Sequence, residues 1–222
     1  MKHKKVAIVA NSGIDWVSKD DFKTYSSIIG VDRGAFVLLR KGIVPDVAIG
    51  DFDSVSNEEL KEIRTRVANV KQYSRNKDQT DLELAVSYAL AFHPGEITMF
   101  GVTGGRLDQE LTALHLLRAI HEHKCRAVLW DEHNFMVFVS GKYQMKKQKK
   151  FSYLSILPFT DEITVSICGC KYPLKNHVMK RGVTLGVSNV ITSKFADVTI
   201  HKGVAYCILS RDRGKFSSSN HS

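Results

Sequence analysis

The stretch Val47-Ala48-Ile49-Gly50-Asp51-Phe52-Asp53-Ser54-Val55-Ser56-Asn57-Glu58-Glu59-Leu60 decides how this chain is read. Its first three residues are apolar and two are β-branched, as a short buried strand requires. A glycine and two aspartates end that strand. Ser56 followed three residues later by Glu59 has the spacing of a capping box, so a helix should begin at Asn57. Leu60, Ile63 and Val67 then share one face of it. A strand, an acidic turn and a capped helix in so few residues form one repeat of an α/β protein.

Outward from this stretch the same alternation recurs. Strand-like runs occur at 6–10, 28–31, 47–49, 67–73, 97–100 and 127–130, with helical patterns at 34–41, 57–66, 82–91 and 109–121. This predicts a parallel sheet with helices on both faces, Rossmann-like in kind. After Asp131 the helical period stops. Short β-type runs at 137–139, 151–157, 163–168, 183–187, 198–201 and 205–209 predict a C-terminal antiparallel β-sandwich. Two domains are expected, 1–131 and 132–222, with a frayed polar tail at 217–222.

The chain has 222 residues, 43% of them hydrophobic, enough to bury a core. No apolar run approaches the ~20 residues of a membrane span, and Met1-Lys2-His3-Lys4-Lys5 leads only into a short apolar segment, so a cytoplasmic protein without a membrane partner is expected. Cys125, Cys168, Cys170 and Cys207 lack the spacing of a zinc site and read as reduced thiols. The net charge of +9 suits an anionic partner. The lysine run at 146–150 lacks interleaved aromatics and reads as a solvated hairpin, and His121-Glu122-His123 as a charged helix end, so no nucleic-acid partner is expected.

The chemistry lies in where the carboxylates fall. Asp32, Asp51, Asp81 and Asp108 each come near a strand end and before or at a helix start, and open parallel sheets bind ligands at the carboxyl ends of their strands. Asp51 and Asp53 at i and i+2 share one side if the strand conformation persists, about 6.5 Å apart, a spacing that suits a hard cation such as magnesium. The alternative is a turn that caps the next helix. In Asn76-Lys77-Asp78-Gln79-Thr80-Asp81-Leu82-Glu83, Thr80 and Glu83 have capping-box spacing, which leaves Asp78 and Asp81 for another task. Gly101-Val102-Thr103-Gly104-Gly105-Arg106-Leu107-Asp108-Gln109 is a glycine-rich loop able to approach a phosphate, with the Arg106 fork of donors, although it fits neither the Walker nor the dinucleotide pattern. At an effective dielectric of 20, two charges 4 Å apart repel by about 4 kcal/mol, so converged aspartates need a cation. Arg33, Lys77 and Arg106 are nearby, and bound magnesium with polyphosphate would complete the neutralisation.

At these residues the chain resembles the thiamine pyrophosphokinase family of the bacterial type. The resemblance runs through Val31-Asp32-Arg33-Gly34-Ala35, Gly50-Asp51-Phe52-Asp53-Ser54, Lys77-Asp78-Gln79-Thr80-Asp81 and Gly104-Gly105-Arg106-Leu107-Asp108-Gln109. In the β-domain it continues with Tyr172-Pro173-Leu174, Leu185-Gly186-Val187-Ser188-Asn189 and Ser210-Arg211-Asp212. The resemblance implies a homodimer with shared active sites and the reaction of ATP with thiamine to give AMP and thiamine diphosphate. It also implies that magnesium is the cofactor, held by Asp51, Asp53 and Asp81, and that Asp32, Arg33, Gly34, Lys77, Asp78, Thr80, Gly104 and Gly105 serve the nucleotide. Arg106, Asp108 and Gln109 would face the reacting ends, and Ser188 and Asn189 the thiamine pyrimidine. Two features depart from the family. Arg33 stands where a glycine is common, and the only tryptophans, Trp16 and Trp130, precede the β-domain where animal and fungal relatives stack thiamine.

Diphosphoryl transfer requires in-line attack of the hydroxyethyl oxygen on the β-phosphorus, with positioning and charge neutralisation carrying most of the catalysis. On this reading Asp51, Asp53 and Asp81 hold the metal, Arg106 steadies the transferred group, and Asp108 positions or deprotonates the hydroxyl. The competing readings are a metal-dependent phosphohydrolase and a basic nucleic-acid-binding module.

Overall fold

The computed structural model describes residues 4–10 and 13–212; the tail expected to fray lies outside them. The chain forms two compact units, Met1–Glu132 and His133–Ser222.

The first unit alternates strands and helices: β1 (Lys5–Val9), α1 (Lys19–Phe22), β2 (Ser27–Val31), α2 (Arg33–Arg40), β3 (Val47–Gly50), α3 (Asn57–Arg66), β4 (Val70–Gln72), α4 (Asp81–Leu90), β5 (Glu96–Phe100), α5 (Leu107–Glu122) and β6 (Arg126–Trp130). Its strands run parallel in the order β6-β5-β1-β2-β3-β4. The chain first builds outward from β1, then returns to its other side with β5, so strand order switches between β1 and β5. That switch opens a crevice at the carboxyl edge of the sheet.

Side-chain alternation explains why both faces carry helices. Ala7 and Val9 of β1 pack with Phe22, Leu38 and Phe100, and α2 and α3 share a second cluster through Ala35, Leu39, Ile63 and Val67. The opposite parity of a strand faces the other side. Helix α4 packs against β1, β2 and β3, and α5 against α4 and β6. The start of α2 fits under the end of β1 because Gly34 has no side chain: a Cβ there would lie 2.1 Å from the Val9 carbonyl oxygen. Trp16 and Trp130 join Phe100 in an aromatic cluster.

The expected capping box of α3 is present, with Ser56 and Glu59 bonding reciprocally. That of α4 is half formed. The Glu83 amide donates to Thr80 Oγ1, while the Glu83 carboxylate accepts from Gln79. Helix α1, capped by Ser18 and Asp21, is too short to leave a periodic pattern.

The second unit is antiparallel: β7 (Asn134–Lys146), β8 (Tyr153–Pro158), β9 (Glu162–Cys168), β10 (Leu174–Lys180) and β11 (Phe195–Ser210). The long β11 pairs with β7 along one edge, and with β9 and then β8 along the other. The runs expected at 198–201 and 205–209 are one strand, broken in register around Gly203. The segment 183–187 is not a strand. Gly186 is laid against β8, its carbonyl accepting from the Ile156 amide at 2.8 Å, and a Cβ there would meet the Ile156 oxygen at 2.1 Å. The sequence reading missed β10, whose residues Leu-Lys-Asn-His-Val-Met-Lys are too polar to look like a strand. Such polarity is usual at a sheet edge, and β10 pairs with β9 alone.

Candidate active site

Three carboxylates, those of Asp32, Asp51 and Asp81, converge beyond the carboxyl edge of the parallel sheet, on the connections that follow β2, β3 and β4. Asp32 follows β2 and precedes α2 with φ +47° and ψ −124°, a conformation that few residues other than glycine adopt. Its carboxylate does not cap α2. It turns across the sheet instead, and its Oδ1 accepts from the Phe52 amide at 3.1 Å. Gly50 makes that crossing possible, since a Cβ there would lie 1.8 Å from Asp32 Oδ1. Burial, followed by the charge of Asp81, pushes the Asp32 carboxyl up to about 7.

Oxygens of Asp32, Asp51 and Asp81 lie within 4.8 Å of one another. Asp53, expected to belong to this group, is turned away toward Arg75 at 3.5 Å. The cause is local: Phe52 has φ +60°, so the strand alternation that would have put Asp51 and Asp53 on one side ends between them. Asp51 Oδ1 instead accepts from the Asp53 amide at 2.9 Å. Lys77 reaches from the loop before α4 to Asp81 at 2.8 Å and Asp51 at 3.8 Å. The Asp81 oxygen that Lys77 approaches, Oδ1, is buried.

These acids line a cleft of about 650 Å³ that also takes in Asp53, Thr80, Gly105, Arg106, Asp108 and Gln109. Arg106 grips Asp108 with two contacts, at 2.6 and 3.1 Å. The hydrogen bond from Arg106 holds the Asp108 carboxyl below the usual carboxylate range. A residue not anticipated, Glu110, accepts from the Gly104 and Gly105 amides at 2.9 and 2.8 Å. Two amides converging on one oxygen are the geometry by which a glycine loop holds an anion. Its signal in the sequence was only an acid in the first turn of a helix. Thr103 donates to Asp131 at 2.8 Å and shapes the start of the same loop. Arg33 pairs with Glu59 at 3.3 Å. Gly34 lies at the helix start under β1. Asp78 sits on the exposed side of the loop that carries Lys77.

In the second unit Asn189 is 7% exposed and its amide bonds to nearby backbone groups. Its Oδ1 accepts from the Tyr172 and Val190 amides, and its Nδ2 donates to the Tyr172 carbonyl. Asn189 therefore frames Tyr172, a residue 58% exposed, with the Lys171 ammonium 5.3 Å from its ring centre. Ser188, at φ +60°, is anchored through its amide to Ser155 Oγ and keeps its own hydroxyl outward.

The thiamin pyrophosphokinase catalytic domain matches residues 18–129, and the thiamin pyrophosphokinase vitamin B1 binding domain matches residues 142–205. The chain is 37% identical over 186 residues to a thiamine pyrophosphokinase of Bacillus subtilis, covering 83% of this chain and 87% of that one. Its fold is similar to the Bacillus subtilis thiamine pyrophosphokinase structure, with TM-score 0.86, 34% identity and coverage of 94% and 100%. It is also similar to an Enterococcus faecalis thiamin pyrophosphokinase family protein, with TM-score 0.85, 28% identity and coverage of 95% and 100%. With both domains matched in order and the acidic edge of the sheet assembled, the chain belongs to the thiamine pyrophosphokinase family.

Proposed function

We propose that this chain transfers the diphosphoryl group of ATP to the hydroxyethyl oxygen of thiamine, giving thiamine diphosphate and AMP. The observation that carries this reading is the convergence of Asp32, Asp51 and Asp81 beside the Gly104-Gly105-Arg106 loop, in a chain with both domains of the family.

The donor set fits magnesium: hard carboxylate oxygens of three aspartates within reach of one another on one side, and an open cleft on the other. Asp51 and Asp81 would hold the ion with Asp32 as the third oxygen, and Asp53 faces the cleft rim. When bound, magnesium neutralises polyphosphate charge and orients it. The Gly104 and Gly105 amides offer donors to a phosphate oxygen once Glu110 gives way, and Arg106 offers its fork to the transferred group. Asp108 acts by positioning the hydroxyl, because a carboxyl held low in pKa is a poor base near neutral pH.

For thiamine, Tyr172 is the aromatic ring that the β-unit presents on a rigid frame, and a flat cationic heterocycle stacks well on such a ring. Tyr172, Val178, Val183, Leu185 and Val187 are exposed apolar side chains close in sequence, which supports a homodimer in which the partner covers them. The enzyme is proposed to work in the cytoplasm; among the described residues no helix is long and apolar enough to cross a membrane.

Nucleotide analysis tests the reading. AMP should form only when thiamine and magnesium are both present, and Asp51→Asn should abolish it. Release of inorganic phosphate without thiamine would favour a phosphohydrolase.

A further inference from the structure

We infer that Lys77 is the resident counter-ion of the acidic cluster in the metal-free protein, and that a divalent cation binds by displacing its ammonium group. The inference rests on the metal reading of the site.

Three carboxylates with oxygens inside 4.8 Å repel one another, and a cation among them offsets that repulsion. The cation present is Lys77 Nζ, 2.8 Å from Asp81 and 3.8 Å from Asp51, with all three side chains only 14–16% exposed. One ammonium offsets one charge of three. Its contacts reach Asp81 and, at longer range, Asp51, and Asp32 completes the cluster from another strand. The cluster is thus under-neutralised by one lysine and suited to a more highly charged ion.

The placement of Lys77 also suits an exchange. It stands on the loop between β4 and α4, outside the helix, and its flexible stem can leave without moving the backbone. Asp81, by contrast, begins α4, where the helix amides favour its charge whatever its partner. An arriving ion therefore finds fixed oxygens and a mobile competitor. Lys77 weakens metal binding to the free protein and stabilises the fold before the metal arrives, and the released ammonium remains beside the bound ion's anionic ligands.

The test is calorimetric titration of magnesium or manganese into chelator-stripped full-length protein with no nucleotide present, alongside thermal melts with and without metal. Lys77→Met keeps the length of the side chain and removes its charge. It should bind the ion ten- to a hundredfold more tightly than wild type, melt at a lower temperature when metal-free, and gain more from metal. Lys77→Arg, which keeps the charge, should stay near wild type. Should Lys77→Met fail to fold without metal, Lys77→Gln refolded and titrated in the same way replaces it. Equal or weaker binding by a folded, uncharged variant would overturn the inference and make Lys77 a fixed part of the site. Absence of saturable binding by wild type, with Asp51→Asn indistinguishable from it, would remove the metal reading and the inference together.

Discussion

Asp32 holds a costly position: a backbone near φ +47°, a half-buried carboxylate and an acidic neighbour. Residues in sparsely populated conformations persist where the surroundings impose them, and such strain gathers at functional sites. Asparagine is nearly isosteric and its Oδ1 can still accept from the Phe52 amide, so Asp32→Asn should raise the melting temperature of the metal-free protein by a few degrees while activity falls by orders of magnitude. Equal losses of stability and activity would show that the carboxylate serves the fold. Gly50→Ala is expected to act on the same contact, since the added Cβ would occupy the place of Asp32 Oδ1. It should lower metal affinity and stability together, as titration and melting would show. Thiol chemistry gives a separate check. Burial pushes the Cys125 and Cys170 thiols up to about 11 and raises that of Cys207 as well, so these three carry little thiolate near pH 8. Alkylation at that pH, followed by peptide mapping, should modify the exposed Cys168 first.

At this scale the sequence revealed the acids but not their partners. The i, i+2 rule that paired Asp51 with Asp53 assumes an extended chain, and a positive φ at Phe52 turns Asp53 outward while Asp32 arrives from another strand. Contacts between strand ends have no local signature.

Among the elements, those with strong periodicity were legible. The β1, β3 and β5 runs and helices α3, α4 and α5 stand close to where hydrophobic spacing and capping residues put them. The segment at 183–187 misled because alternation reports one apolar face without saying what covers it; Val183, Leu185 and Val187 are 43–58% exposed. Strand β10 was hidden by its polarity. The part played by Asn189 also changes at this scale. Its amide joins the backbone at Tyr172 and Val190, and leaving those buried groups unpaired costs about 1–3 kcal/mol each. Asn189→Ala should therefore destabilise the β-unit and raise the Michaelis constant for thiamine together. Tyr172→Ala should raise that constant tenfold or more with little change in melting temperature or in the constant for ATP. A Tyr172 variant with unchanged thiamine kinetics would place the stacking group elsewhere.

For the whole molecule, the grammar of the chain changes near residue 131, and the chain forms two compact units, Met1–Glu132 and His133–Ser222. Assembly was not legible, since exposed apolar residues do not name what covers them. If the partner's β-unit completes each site, mixing Tyr172→Ala with Asp51→Asn protein and allowing subunit exchange should recover about a quarter of wild-type activity when assayed at thiamine well below the wild-type Michaelis constant, where Tyr172→Ala alone has lost most of its activity. Half of the randomly paired dimers are then mixed, and each has one intact site. No recovery after proven exchange would put the site on a single chain. The central claim is the reaction itself, and mass detection of products tests it most directly. Incubated with ATP, magnesium and thiamine, the protein should yield thiamine diphosphate and AMP in equal amounts, without thiamine monophosphate as an intermediate. Thiamine left unmodified while ATP is consumed, or a monophosphate formed with ADP, would contradict it.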